Sequence, residues 1–80
     1  MATRTKMELV IGTATDVMVD KLIHDYDATY EWAYLSVLGS STYQKMLKDK
    51  HFRSESPLYI YQFLKQELNK NLLREKNKVI

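Results

Sequence analysis

Residues 39–68 read GSSTYQKMLKDKHFRSESPLYIYQFLKQEL, and the helix stop and helix starts in this stretch decide the fold. Gly39 is the expected end of one helix, because glycine adopts the left-handed conformation at a helix end with little steric cost. Ser56 followed by Pro57 is the expected start of the last helix, since serine caps well and proline in the first turn loses no needed hydrogen bond. Apolar residues at four-residue steps then predict one buried face, formed by Ile60, Leu64, Leu68 and Leu72.

Between these two signals, the sequence predicts a short third helix and a loop. Ser41 and Gln44 have the spacing of a capping box, which opens a helix that ends at about Lys48. Residues 48–55 are charged and polar apart from Phe52, whose ring we expect to insert into the core. The inner face of the short helix is predicted to consist of Tyr43, Met46 and Leu47.

The first half of the chain predicts two helices. Apolar residues at three- and four-residue steps continue over residues 6–24, so a helix is favoured over the competing strand at residues 9–11. Asp25 and Asp27 are candidate N-caps of a second helix over residues 28–38. The stepped apolar face of the first helix comprises Met7, Val10, Ile11, Ala14, Val17, Met18 and Leu22.

The expected fold class is all-α: a single domain over residues 1–80, built as a bundle of three to four helices. The long first and last helices pack together, and the short middle pair closes one end. Residues 74–80 are expected to form a mobile basic tail. The predicted core consists of Val10, Ile11, Ala14, Met18, Leu22, Leu35, Leu38, Met46, Leu47, Ile60, Leu64 and Leu68.

Composition restricts the environment and the partners. The chain has no cysteine, which excludes disulfides and thiolate metal sites and is consistent with a cytoplasmic protein. No secretory signal is evident, and no stretch approaches the ~20 apolar residues of a membrane span. Residues 1–40 carry three basic and six acidic side chains, whereas residues 41–80 carry nine basic and four acidic ones. The two halves are therefore expected to attract each other in the fold or in a dimer, unless they are simply two solvated faces.

Tyrosines are the candidate binding residues. Leu22, Tyr26, Tyr30, Tyr34 and Leu38 lie four residues apart, and would form one stripe if the first two helices were continuous. Tyrosine combines a large apolar ring with a polar hydroxyl. Such a side chain suits either the edge of a core, where the hydroxyl contacts water, or a protein interface. The candidate partner-binding residues are Tyr26, Tyr30, Trp32, Tyr34, Tyr59 and Tyr61.

Catalysis and cofactor binding are not expected. Asp16, Asp20 and His24 lie four residues apart on one helical face, a spacing that would allow them to coordinate a metal ion. Such residues on an outward face are, however, more often simply exposed to solvent. The serines have simpler interpretations as caps, and no glycine-rich phosphate loop is present. The prediction is therefore no enzyme, no metal and no cofactor. The basic second half of the chain keeps nucleic-acid binding as an alternative. This alternative is less favoured, because the net charge of the chain is only +2.

Residues 41–68, with Ser41-Thr42-Tyr43 at one end and Glu55-Ser56-Pro57-Leu58-Tyr59-Ile60-Tyr61 near the other, resemble a pattern of small all-helical bacterial proteins of unknown function. Some proteins of that general type act as antitoxin-like partners of toxins. The resemblance therefore implies a helical fold and a protein partner, and it transfers no catalytic residue. This chain departs from the pattern in its basic segment at residues 48–53, where acidic residues and glycine are expected.

The function predicted from these features is a non-catalytic protein–protein interaction module of a bacterial cytoplasm. Its partner is another protein, such as a toxin in an antitoxin-like pair, or a second copy of the chain in a homodimer. The alternative is a nucleic-acid-binding accessory protein that uses the basic C-terminal half.

Overall fold

A computed structural model describes the backbone of residues 5–78 and the side chains of residues 5–71. It contains five helices and, within residues 5–78, no strand, so the all-α prediction is confirmed. The helices are α1 (Lys6–Tyr26), α2 (Tyr30–Leu38), α3 (Ser41–Lys48), α4 (Lys50–Arg53) and α5 (Pro57–Lys78). α1 packs against α2 and α5, and α3 packs against α4 and α5.

The junction between α1 and α2 is a separate turn, so the tyrosine stripe is not carried by one continuous helix. Asp27 has φ 50° and ψ 48°, and its backbone N–H donates to the Ile23 carbonyl, which makes it the C-cap of α1. Thr29 is the N-cap of α2 and accepts a hydrogen bond of 3.1 Å from the Trp32 amide. The prediction of Asp25 or Asp27 as N-cap is therefore wrong. Aspartate tolerates the left-handed conformation well enough to end a helix there.

The turn between α2 and α3 also differs in detail from its prediction. Gly39 ends α2 as expected, but with φ −86° it isn't left-handed. A Cβ at this position would lie 3.3 Å from the Leu35 carbonyl oxygen, and this close approach favours glycine. The N-cap of α3 is Ser40, whose hydroxyl accepts from the Tyr43 amide at 3.0 Å. The cap predicted at Ser41 is therefore one residue too late.

The predicted loop at residues 48–55 contains the single turn α4. Asp49 caps this turn by accepting hydrogen bonds from the amides of His51 and Phe52 at 2.9 and 3.1 Å. These donors, with the Phe52 amide contributing most, lower the pKa of the Asp49 carboxyl. The turn directs Phe52 into the core, where its ring is buried, as predicted.

The core follows the predicted faces of α1 and α5, whereas one predicted core residue of α2 lies clearly outside it. Leu35 is 67% exposed, because α2 buries the side that carries Ala33 and Val37, and Leu35 lies between them on the other side. Val10, Leu38, Leu47 and Leu68 are only half-buried. The central cluster consists of Ala14, Met18, Val19, Leu22, Ala33, Val37, Met46, Phe52, Ile60, Tyr61 and Leu64.

α5 begins at Pro57 as predicted, with the Tyr59 amide donating to the Ser56 hydroxyl at 3.3 Å. Its backbone continues as helix to Lys78. The first part of the predicted tail, residues 74–78, is therefore helical. Residues 79–80, and the side chains of Leu72 and of the whole tail, lie outside the described residues.

Leu64 is fully buried in the central cluster, so its truncation tests the packing directly. We expect Leu64→Ala to lower the free energy of unfolding by about 2–5 kcal/mol, because it leaves a cavity that the surrounding helices fill only in part. Urea denaturation followed by circular dichroism measures the change. The exposed neighbour Gln62 supplies the control: Gln62→Ala should have little effect, and equal losses for the two variants would contradict the packing.

Candidate functional site

A groove of about 810 Å³ opens between the N-terminal half of α1, α2 and α3. We call it the interhelical groove. Its lining is mainly apolar and aromatic on α2 and α3, and mixed on α1. The residues that line it are Thr5, Met7, Glu8, Leu9, Ile11, Gly12, Thr13, Thr15, Asp16, Tyr30, Tyr34, Leu38, Tyr43 and Leu47.

The α2 wall presents two stacked tyrosines. Tyr30 and Tyr34 are one helical turn apart, with ring centroids separated by 5.8 Å and planes inclined by 11°. Tyr30 is 62% exposed, and Tyr34 is also exposed. Stacking restricts the rotation of both rings. This wall therefore presents apolar area whose binding would cost little additional side-chain conformational entropy.

The α1 wall exposes two aliphatic side chains that the sequence pattern did not select as binding residues. Met7 and Leu9 are both exposed, and Leu9, at 53%, lies away from the stepped apolar face of α1. Below them Ile11 and Thr15 are buried, and the Thr15 hydroxyl donates to the Ile11 carbonyl at 2.7 Å. Leu9 lies outside the periodic apolar positions of α1, and this position in the sequence could have indicated an exposed apolar surface.

The electrostatic character of the groove is acidic. Glu8 and Asp16 line it, and an adjoining depression of about 260 Å³, which shares Asp16 and Tyr30, adds Asp20. No lysine, arginine or histidine is among the described residues that line either space. A cationic partner would therefore be attracted to this face, whereas an anionic one would be repelled.

The α3 wall contributes the half-buried side chains of Tyr43 and Leu47. α3 has only eight residues, too few for an isolated helix to be stable in water. The Glu67 carboxylate of α5 holds its N-terminus, accepting hydrogen bonds from the Ser41 amide at 2.8 Å and the Thr42 amide at 3.1 Å. The Thr42 hydroxyl donates a further bond of 3.0 Å to Glu67.

The C-terminal end of α3 is held by a cation. Arg53 Nη1 donates to the carbonyls of Met46 at 3.1 Å and Leu47 at 3.3 Å. A carboxylate at the N-terminus and a guanidinium at the C-terminus both complement the helix dipole. The side chain of Met46 is fully buried between these ends. The groove wall is thus fixed at both ends and underneath.

The structure divides the six candidate partner-binding residues among four places. Only Tyr30 and Tyr34 lie in the groove. Tyr26 and Trp32 pack together at the α1–α2 junction, with centroids 5.8 Å apart, and the Tyr26 hydroxyl donates to Asn69 Oδ1 at 3.0 Å. Trp32 is exposed and Tyr26 is half-buried. These two rings therefore form a separate and smaller aromatic surface.

Tyr59 belongs to another aromatic cluster at the start of α5. Its ring contacts Phe63 edge-to-face at 5.2 Å, and Phe63 contacts Phe52 in the same manner at 5.4 Å. The Lys45 ammonium lies over the Phe52 ring, 4.6 Å from its centroid. Tyr59 is exposed, but it shares no lining residue with the groove.

Tyr61 is 4% exposed, so its prediction as a surface binding residue is wrong. It lies on the buried side of α5, and its hydroxyl donates to Asp25 Oδ2 at 2.7 Å, with Lys65 Nζ 3.6 Å from the same oxygen. The hydrogen bond from Tyr61 lowers the pKa of the Asp25 carboxyl, and the charges of Lys65 and Lys21 act in the same direction. Burial, and then the bond to Asp25, raises the pKa of the Tyr61 hydroxyl well above its ordinary value.

The acidic and histidine residues of α1 do not form a metal centre. His24 Nδ1 lies 2.9 Å from the Asp20 carbonyl oxygen and 3.7 Å from Asp20 Oδ1, and both side chains are exposed. Within the described part of the chain, no group of three or more such residues is arranged to hold a metal ion. Asp16 lies at the groove instead.

Comparison with known proteins finds no counterpart: no protein-family model, curated protein or solved structure matches the chain. The resemblance of residues 41–68 to small helical bacterial proteins therefore stays a prediction. None of the helices over residues 5–78 combines the length and apolar composition needed to cross a bilayer.

The Tyr61–Asp25 bond makes a pH-dependent contribution to stability. The lowered pKa of Asp25 means that this contribution is present above the ordinary value of 3.8 and is lost as the pH falls through the folded value. We expect Tyr61→Phe to unfold more easily than the wild type at neutral pH, with the difference shrinking in acid. Denaturation across pH and a carboxyl NMR titration measure this. An unchanged Asp25 pKa in the variant, or a difference that is constant with pH, would contradict the assignment.

Proposed function

We propose that this protein is a non-catalytic protein-interaction module that binds a segment of its partner in the interhelical groove. The observation that carries the proposal is the pair of stacked, exposed tyrosines, Tyr30 and Tyr34, in a preformed groove. Exposed aromatic area of this kind, in an open groove with a charged rim, is typical of protein docking surfaces. Tyrosine is also among the residue types that dominate binding energy at such surfaces.

The chemistry of the groove supports a binding role rather than a reaction. Its described ionisable side chains are carboxylates and tyrosines, and no serine, cysteine, lysine or histidine lines it beside them. General acid–base or nucleophilic catalysis needs an activated group within hydrogen-bond reach of a base. The absence of cysteine fits a reducing compartment, and a bacterial cytoplasm stays our prediction for its location.

Nucleic-acid binding receives less support from the arrangement of the basic side chains. Lys45 lies over the Phe52 ring, Arg53 donates to the carbonyls of α3, and Lys65 pairs with Asp25. These three cations make contacts within the fold. A phosphate backbone needs several cations presented together.

The proposal predicts that the two groove tyrosines are needed for partner retention. Affinity purification from the native host should recover a protein in stoichiometric amounts with the wild-type chain. We expect Tyr30→Ser/Tyr34→Ser to weaken this binding by about tenfold or more, because binding energy is concentrated in such aromatic residues. Both sites are exposed, so the fold should persist, and circular dichroism checks this.

Tyr59→Ser is the matched control, because it removes an exposed ring of the same type from another surface. It should retain the partner as well as the wild type does. A wild-type chain that retains neither another protein nor a second copy would contradict the proposed function. So would a groove variant that retains the partner undiminished.

A further inference from the structure

We propose that the occupant of the interhelical groove is the C-terminal segment, residues 70–80, of a second copy of this chain. The inference rests on the proposed function and names its partner. Three observations lead to it: the charge of the groove, the composition of the segment, and the direction in which α5 leaves its own core.

The groove selects for a cationic and apolar occupant. Three carboxylates, those of Glu8, Asp16 and Asp20, lie along the groove and its adjoining depression, and no described lining residue carries positive charge. Opposite the carboxylates, the α2 wall offers the rings of Tyr30 and Tyr34. An amphipathic helix with basic residues matches both features, by docking apolar side chains between helices and by pairing charge at the rim.

Residues 70–80 have this composition. Four of the eleven residues are basic, one is acidic and four are apolar. The apolar residues are Leu72, Leu73, Val79 and Ile80. The backbone is already helical to Lys78, so little ordering would be needed on docking. The basic residues are Lys70, Arg74, Lys76 and Lys78.

The direction of α5 takes this segment away from its own core. Tyr61 and Asn69 both bond to the end of α1, the first to Asp25 and the second to Tyr26. α5 therefore crosses the C-terminal end of α1, and residues 69–71 are all exposed. The molecule is elongated accordingly, with a longest extent of 53 Å and a radius of gyration of 13.8 Å. A compact chain of this length would have about 12 Å.

No described residue of α5 lines the groove of its own chain. Along α1, Asp16 lies about 14 Å and Glu8 about 26 Å from Asp25, at 1.5 Å per residue. The nine residues from Asn69 to Lys78 add ~14 Å of helix after the contact between Asn69 and Tyr26 at the end of α1. Because the segment continues past this contact, whereas Glu8 lies in the first turn of α1, we infer that a second copy supplies the segment to the groove.

Two copies related by a two-fold axis satisfy both sites at once. Each copy supplies one groove and one basic segment, which is the self-complementary arrangement of closed dimers. The second docking event then takes place within an existing complex, so that two modest contacts add to a stronger one.

A charge exchange tests this arrangement without disturbing the core. One protein carries Asp16→Lys and Asp20→Lys, and a second carries Arg74→Glu and Lys78→Glu. In a homodimer of either protein, the groove and the docked segment carry charges of the same sign. We therefore expect the self-association of each protein, measured by analytical ultracentrifugation, to be at least tenfold weaker than that of the wild type. In an equimolar mixture both interfaces pair opposite charges, so a heterodimer should form. High salt should weaken the wild-type dimer.

Two exposed sites away from the groove supply matched controls, namely Glu55→Lys and Lys50→Glu. Both proteins should self-associate like the wild type. A monomeric wild-type chain would overturn the inference, as would a mixture of the charge-reversed proteins that stays monomeric. If either of these outcomes is found and a host protein is nevertheless retained through Tyr30 and Tyr34, the inference fails while the proposed function stands. If no protein is retained at all, both fail.

Discussion

The shape of the interhelical groove depends on the hydrogen bonds that the Glu67 carboxylate accepts. This carboxylate joins α5 to the first turn of α3 through the Ser41 and Thr42 amides and the Thr42 hydroxyl. α3 is too short to persist alone, so this anchor, the buried Met46 and the Arg53 contact at its other end determine where it lies. Its position sets one wall of the interhelical groove, and the groove therefore depends on a contact between distant parts of the chain.

The groove also reflects how little core an 80-residue chain can build. The buried side of α2 carries the small residues Ala33 and Val37, so that α2 lies close to α1. The large residues of α2 lie on its outer side. Tyr30, Tyr34 and Leu35 are consequently exposed. Apolar area that a larger domain would cover internally therefore stays exposed, and a docked segment would extend the core of the domain across an interface.

The sequence predicted those features that depend on local periodicity and missed those that depend on long-range contacts. The buried faces of α1 and α5 repeat at three and four residues, so Met18, Leu22 and Leu64 were assigned correctly. Caps were misplaced by one or more residues because several serine, threonine and aspartate residues compete at each turn, as Asp27 and Thr29 do.

Leu35 could not be placed from periodicity alone. Tyr61 lies three residues before Leu64, so periodicity puts it on the buried face of α5, where its hydroxyl donates to Asp25, thirty-six residues away. Leu35 faces outward because the smaller residues of α2 fit against α1. The role of Glu67 likewise has no local signal, since its partners lie twenty-five and twenty-six residues earlier in the chain.

An intermolecular paramagnetic relaxation measurement detects docking of the basic segment in the groove of a second copy. The chain has no cysteine, so Asn77→Cys provides a single site for a spin label. The labelled protein is mixed with an isotope-labelled copy that carries no spin label. Docking of the basic segment in the groove predicts that the amide signals of Gly12, Asp16 and Tyr34 in the second copy broaden. Broadening confined to α5, or none at concentrations where dimers are present, would contradict this docking.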